Sequence, residues 1–205
     1  VDRAIADQNQ AIKLNAGYAL AYNDRGLAYG ARGDIEKALA DFDQSIKLDS
    51  KNPLAVYNRG LTLRNRNDVD RAIADFEGAI KLNPSYTVAL YARGNTYLSK
   101  RDLGRAIADL DQVIKLNPRF ATAYADRAAA YGMGGDTDRA LVDFDQAIKL
   151  DPKDALAYSN RGFAWRTKGD IVRAAADYEQ AIKLDVGNAS AFYNRGNVYY
   201  EKRDF

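Results

Sequence analysis

The chain has 205 residues, 47% of them hydrophobic, with no cysteine, no histidine, and 30 Lys plus Arg against 28 Asp plus Glu for a formal charge of +2. That inventory excludes disulfides, thiolate nucleophiles, imidazole bases and the usual zinc and haem ligands, so neither a metal nor a cofactor is expected. Near-neutral charge gives little attraction for nucleic-acid phosphates or an anionic membrane surface, and no nucleic acid and no membrane insertion are expected. No run of 18 apolar residues and no charged-then-apolar leader is visible, so the expectation is a soluble chain, cytoplasmic by preference. The start at Val1-Asp2-Arg3, without Met, reads as a fragment or a processed form.

Along the chain one pattern returns every 34 residues without a gap. A small residue recurs as Gly26, Gly60, Gly94, Ala128, Gly162 and Gly196, and an alanine as Ala4, Ala38, Ala72, Ala106, Ala140 and Ala174. A repeat of this length with two helical patterns per unit marks an array in which no unit buries its apolar face alone and neighbours must stack. The spacing divides the chain into a half repeat at 1–18, full repeats at 19–52, 53–86, 87–120, 121–154 and 155–188, and a half repeat at 189–205. Helices are predicted at 19–32 and 35–48, and at intervals of 34 thereafter.

Residues 53–86 show the unit. Val56, Gly60 and Leu63 fall at i, i+4 and i+7 on one helix face, and Val69, Ala72, Phe76, Ala79 and Ile80 share a face of the next. Asn67-Asp68 breaks the first pattern, and Asp68 is placed to cap the second helix by accepting its free backbone N–H groups. That cap recurs as Asp34, Asp102, Asp136, Asp170 and Asp204. Pro84, Pro118 and Pro152 lack an amide donor and end the second helices, with Ser50 and Val186 at the same place. Gly60 and Ala72 let the paired backbones approach, each glycine being expected against an Ala of its partner helix. Tyr22, Tyr124, Tyr158, Phe192, Phe42, Phe144 and Trp165 fill the surrounding volume.

A bulky residue, a small one four later, an aromatic three later, then Ala, a bulky residue, another small or apolar one and Pro stand in the third unit as Leu90, Gly94, Tyr97, Ala106, Leu110, Val113 and Pro118. The whole chain resembles the tetratricopeptide repeat (TPR) family, in a bacterial-type consensus-like array. The resemblance implies an all-α fold, a right-handed α-solenoid of stacked antiparallel helix pairs. Two departures stand out. Gln8 replaces the second aromatic in the first half unit, and an Arg precedes each small residue.

That Arg recurs as Arg25, Arg59, Arg93, Arg127, Arg161 and Arg195, matched by Asp7, Asp41, Asp75, Asp109, Asp143 and Asp177. At 100° per residue both point away from the groove, so the ladder reads as structural. Pairing across unit junctions, Arg59 with Asp41, uses all six of each type and is the expected arrangement. The ladder would then specify register.

The resemblance also implies a concave surface built from the first helices. It would carry Leu20, Asn23, Asp24 and Leu27; Leu54, Tyr57, Asn58, Leu61 and Arg64; and Val88, Tyr91, Asn95 and Leu98. Further along it would carry Thr122, Ala125, Asp126, Ala129 and Met133; Leu156, Asn160, Phe163 and Arg166; and Tyr193, Asn194, Asn197 and Tyr200. Aromatic anchors among amides and two Arg suit an extended peptide or protein segment, because rings bury apolar side chains while Asn both donates to and accepts from a peptide backbone. The expected partner residues are Tyr57, Asn58, Leu61, Arg64, Tyr91, Asn95, Leu98, Asn160, Phe163, Arg166, Tyr193 and Asn194. Asn58, Asn160 and Asn194 stand where some TPR proteins carry an asparagine ladder, interrupted here by Asp24, Ala92 and Asp126. The Lys and Asn set of a carboxylate clamp is missing.

A non-catalytic interaction scaffold is therefore the expected function, since the regular carboxylates read as caps and ladder members rather than as a paired acid and base. The alternative is a scaffold that stacks head-to-tail as a weak homo-oligomer, through Ala4, Ile5 and Ala11 at one end and Phe192 and Tyr199 at the other. Val1 and Phe205 share one place in the repeat, so such stacking would continue in phase.

Overall fold

The computed structural model describes residues 1–202, so the cap expected at Asp204 and the in-phase match of Phe205 lie outside the described residues. Among those residues there are twelve α-helices and no strand. They are α1 (Asp2–Leu14), α2 (Ala19–Arg32), α3 (Ile35–Leu48), α4 (Pro53–Asn65), α5 (Val69–Leu82), α6 (Thr87–Ser99), α7 (Leu103–Leu116), α8 (Ala121–Met133), α9 (Thr137–Leu150), α10 (Ala155–Thr167), α11 (Ile171–Leu184) and α12 (Ala189–Lys202). None of the described helices is long and apolar enough to cross a membrane. The chain divides into two compact units, Val1–Thr96 and Tyr97–Phe205. In the first, α2 packs on α3 and α4 on α5, with α1 against α2 and α3 against α4. In the second, α8 pairs with α9 and α10 with α11, flanked by α7 on α8, α9 on α10 and α11 on α12. Each unit is thus a solenoid-type stack of helix pairs.

The helix ends follow from local chemistry. Asp102, Asp136 and Asp170 cap their helices, accepting from the backbone N–H of Arg105, Arg139 and Arg173 at 3.2, 3.1 and 2.9 Å. Asp34 and Asp68 stand at the same place but make no such bond. Their carboxylates accept from the guanidinium groups of Arg32 and Arg71. The turn inside each pair uses a left-handed residue: Gly33, Gly135 and Gly169 have φ of 89°, 85° and 81°, and Asn67 and Arg101 take 66° and 58° at the corresponding positions. Glycine adopts this conformation freely, whereas a Cβ is crowded by the following carbonyl.

Within a pair the small residue of the first helix meets an aromatic ring. A Cβ on Gly26 would lie 2.8 Å from Phe42 Cε1 and 3.2 Å from the Ala38 carbonyl oxygen; on Gly60 it would lie 2.8 Å from Phe76 Cε1, and on Gly162 3.0 Å from Tyr178 Cε1. The expected approach of glycine to alanine is made through the backbone, the Ala38 and Ala174 carbonyl oxygens lying 3.2 Å from the Cβ positions of Gly26 and Gly162, while the nearest group is the ring. The alanine offers its backbone, and the ring one turn on covers the glycine. Phe42, Phe76, Leu110, Phe144 and Tyr178 are all fully buried or nearly so.

The Arg–Asp ladder also differs from the expected junction pairing. Arg59 donates to both carboxylate oxygens of Asp75 in its own pair, Nε at 2.8 Å and Nη2 at 2.6 Å, and not to Asp41. Arg25 with Asp41, Arg127 with Asp143 and Arg161 with Asp177 repeat that bidentate geometry. The reason is visible at the helix crossing, where the Asp75 Cβ sits 3.1 Å from the position a Gly60 Cβ would occupy, so the carboxylate faces its own pair. The third guanidinium nitrogen crosses to the preceding second helix. Nη1 of Arg25, Arg59, Arg127 and Arg161 reaches Asn9, Asp43, Asp111 and Asp145 at 2.7, 2.6, 2.5 and 2.7 Å. Three of these Arg also lie over the ring three residues before them, with Arg25, Arg127 and Arg161 at 5.4, 5.6 and 5.5 Å from the centroids of Tyr22, Tyr124 and Tyr158. One guanidinium thereby ties three helices together, and register within each stack follows from this bridging.

Candidate partner-binding groove

First helices touch one another within each unit, α2 with α4 in the first and α8 with α10 and α10 with α12 in the second. Their side opposite the paired helix is the candidate groove. In the first unit it exposes Leu20, Leu27 and Val88, each more than two-fifths accessible. In the second it exposes Met133, Leu156, Phe163, Tyr193 and Tyr200, with Phe163 at 56% and the two tyrosines at 72%. Large apolar side chains at such accessibility form a surface suited to burying a partner.

Several expected contact residues are engaged within the chain. Asn58 is buried, its Nδ2 donating to Asn23 Oδ1 at 2.9 Å, and Asn23 in turn donates to Asp24 at 3.0 Å. Its amide group therefore serves the α2–α4 contact and not a partner backbone. Tyr57 is half-buried, 6.0 Å from the Phe76 ring and 5.4 Å edge-on from Tyr86, so it is chiefly a packing residue. Burial pushes its phenol above the ordinary value, with the Arg64 charge acting in the opposite sense. Arg166 donates to Glu201 through Nε at 3.0 Å and through Nη2 as well, which neutralises one of the two cations expected to meet a ligand. Glu201 was not singled out from the sequence.

Others remain as expected in exposure. Leu61, Arg64, Tyr91, Asn95, Leu98, Asn160 and Asn194 are half-buried on first helices, and Phe163 and Tyr193 are exposed. The Asn95 Oδ1 is buried with no hydrogen-bond partner. Such an orphan acceptor costs about 1–3 kcal/mol until a donor reaches it.

At the ends, Ile5 is buried against its own chain and Tyr199 donates its hydroxyl to Glu179 at 2.9 Å. Ile5 is thus covered where α1 packs on α2, while Tyr199 is half-buried on α12, which packs on α11. Ala4 is exposed although Ala38, Ala72, Ala106, Ala140 and Ala174 at its place are fully buried. Ala11 is half-buried and Phe192 is 44% accessible. Among the described residues no three acidic side chains gather where they could share a metal ion.

Stacked helix pairs with a small-residue crossing, a charged ladder and an accessible first-helix face define a helical-repeat scaffold. A family model described as Tetratricopeptide repeat matches residues 1–53, 23–87, 91–155 and 130–182, and a second, TPR repeat, matches 164–202. The chain belongs to the tetratricopeptide repeat family. No protein of curated description matches it. Among solved structures it is similar to YrrB, described as a TPR protein with an unusual peptide-binding site, at 23% identity and a TM-score of 0.77 over 92% of this chain and 97% of that one. It is similar also to MamA from Desulfovibrio magneticus RS-1, at 25% identity and a TM-score of 0.77 over 83% of this chain and 97% of that one. A thermophilic TPR protein of Thermus thermophilus aligns at 19% identity, a TM-score of 0.66, and 89% and 99% coverage.

Proposed function

We propose that this chain is a non-catalytic protein-interaction scaffold whose first-helix faces hold an extended segment of a protein partner. The observation that carries the reading is the joint exposure of apolar side chains and unengaged amide groups on those faces. Asn160 and Asn194 are half-buried amides with no side-chain hydrogen bond among the described residues, and Phe163 and Tyr193 present rings. An extended backbone supplies the N–H and C=O groups that such amides lack, and its alternate side chains bury against the rings. YrrB, with its peptide-binding site, supports the same reading at the level of the family. The ladder carboxylates are bound bidentately to Arg, which leaves them poor candidates for acid–base chemistry. Selection of peptide binders from a random display library, followed by Phe163→Ala, Tyr193→Ala and Asn194→Ala, tests it. Binding unchanged in all three variants would refute the groove assignment.

A second reading, weak head-to-tail association, is favoured by one observation. Asp7 and Arg195 occupy the ladder places of the two terminal helices, and neither has an ion-pair partner among the described residues. In a stacked dimer they would meet as Arg25 meets Asp41. Sedimentation equilibrium of Asp7→Arg, Arg195→Asp and the double exchange checks this. Association lost in each single variant and restored in the double supports it, and a monomer at every concentration refutes it.

A further inference from the structure

Each unit contains a cleft between neighbouring first helices, and the two clefts are lined by corresponding residues. The ten positions of the α2–α4 cleft, Gly26 through Asn65, recur 102 residues later (128 − 26 = 102) as the ten of the α8–α10 cleft, Ala128 through Thr167. Their contents differ. Leu27 and Ile35 fill the first, which has a volume of about 210 Å³. Ala129 and Thr137 stand at those places in the second, which opens to about 370 Å³. Its walls are otherwise Met133, Phe144 and Phe163.

The polar groups differ as well. In the first cleft the Asn58 amide is held by Asn23. The residue in Asn23's place is Ala125, and Asn160 has no side-chain hydrogen bond among the described residues. The second cleft therefore combines apolar walls with one unengaged amide.

We propose that the α8–α10 cleft binds a tryptophan side chain of the partner segment, with the Asn160 Oδ1 accepting from its indole N–H. This rests on the groove reading above and gives it a specificity. A dry cavity of about 150 Å³ accommodates benzene, so a single six-membered ring would leave much of this cleft empty, whereas an indole fills more of it. Met133 and Phe163 supply sulfur and ring contacts suited to an aromatic guest. Tryptophan is the large aromatic whose one polar atom is a donor only, so it engages the Asn160 Oδ1 and leaves the Nδ2 donors to the peptide backbone or water.

The chain contains one methionine, so the Met133 ε-methyl is a unique NMR reporter inside the cleft. Titration of the ¹³C-methyl-labelled chain with blocked Gly-Ala-Trp-Ala-Gly, and with its Phe and Asp analogues, is the experiment. The Trp peptide should move the Met133 signal by its ring current, Phe should bind more weakly, and Asp should leave it in place. Ala129→Leu with Thr137→Ile, the residues of the smaller cleft, should weaken Trp binding about tenfold or more, a loss of the size pocket volume commands. Asn160→Ala should keep the fold and reduce the preference of Trp over Phe to the part that cleft volume supplies. A Met133 signal unmoved by the Trp peptide, or moved equally by the Asp peptide, overturns the proposal. If the ring signals of Tyr193 and Tyr200 respond while Met133 is silent, the cleft assignment falls and the groove reading stands. If neither responds to any peptide, both fall.

Discussion

Tyr178 is the place where one atom separates this chain from its own repeat. Its ring takes the position of Phe42, Phe76 and Phe144, it is wholly inaccessible, and its hydroxyl has no hydrogen-bond partner. Burial pushes that phenol up to about 12 from the ordinary 10. Tyr178→Phe removes a polar group whose desolvation costs about 1–3 kcal/mol. The vacated volume, on the order of 10–15 Å³, costs roughly 0.3 kcal/mol at about 24 cal/mol per Å³. The variant should therefore gain about 0.7–2.7 kcal/mol in urea denaturation, followed by circular dichroism and by Trp165 fluorescence. A pH series gives an independent check. Because the folded state holds this phenol neutral, its contribution is complete below pH 10 and is lost as pH rises from 10 toward 12. The variant should lose less stability than the parent across that window. A variant less stable than the parent, or one with the same alkaline loss, would refute the orphan-hydroxyl assignment.

Gly60→Ala should lower stability by about 1–3 kcal/mol, because the new Cβ would fall 2.8 Å from Phe76 Cε1 and 3.1 Å from Asp75 Cβ. An unchanged urea midpoint would contradict the close crossing. Arg101→Gly should raise stability by up to about 1 kcal/mol by relieving a left-handed φ of 58°, as read from the thermal midpoint. Tyr57→Ala should cost about 1–2 kcal/mol through lost ring packing, while Tyr193→Ala, at 72% exposure, should leave the urea midpoint in place and weaken peptide binding.

Helix boundaries were legible almost to the residue, since a 34-residue period phases every unit against the others and the pair at 19–32 and 35–48 is observed at those positions. The face on which Asp41 points was not. An angle of 100° per residue gives direction about an axis but does not say which neighbour lies there, and the Asp turned inward to its own pair. Contacts between neighbouring first helices were equally hidden. Asn23 meets Asn58 and Arg166 meets Glu201, each 35 residues apart, one more than the period, so alignment of like with like passes over them. The left-handed turn was masked differently. Glycine marks it three times, but Arg101 occupies it without any compositional sign.

The central claim is that partners bind the first-helix faces. Amide hydrogen exchange of the chain, alone and with a display-selected peptide, measures this directly. The account predicts added protection in α2 and α4 or in α8, α10 and α12, with α3, α5, α9 and α11 unchanged. Protection confined to those second helices would contradict it.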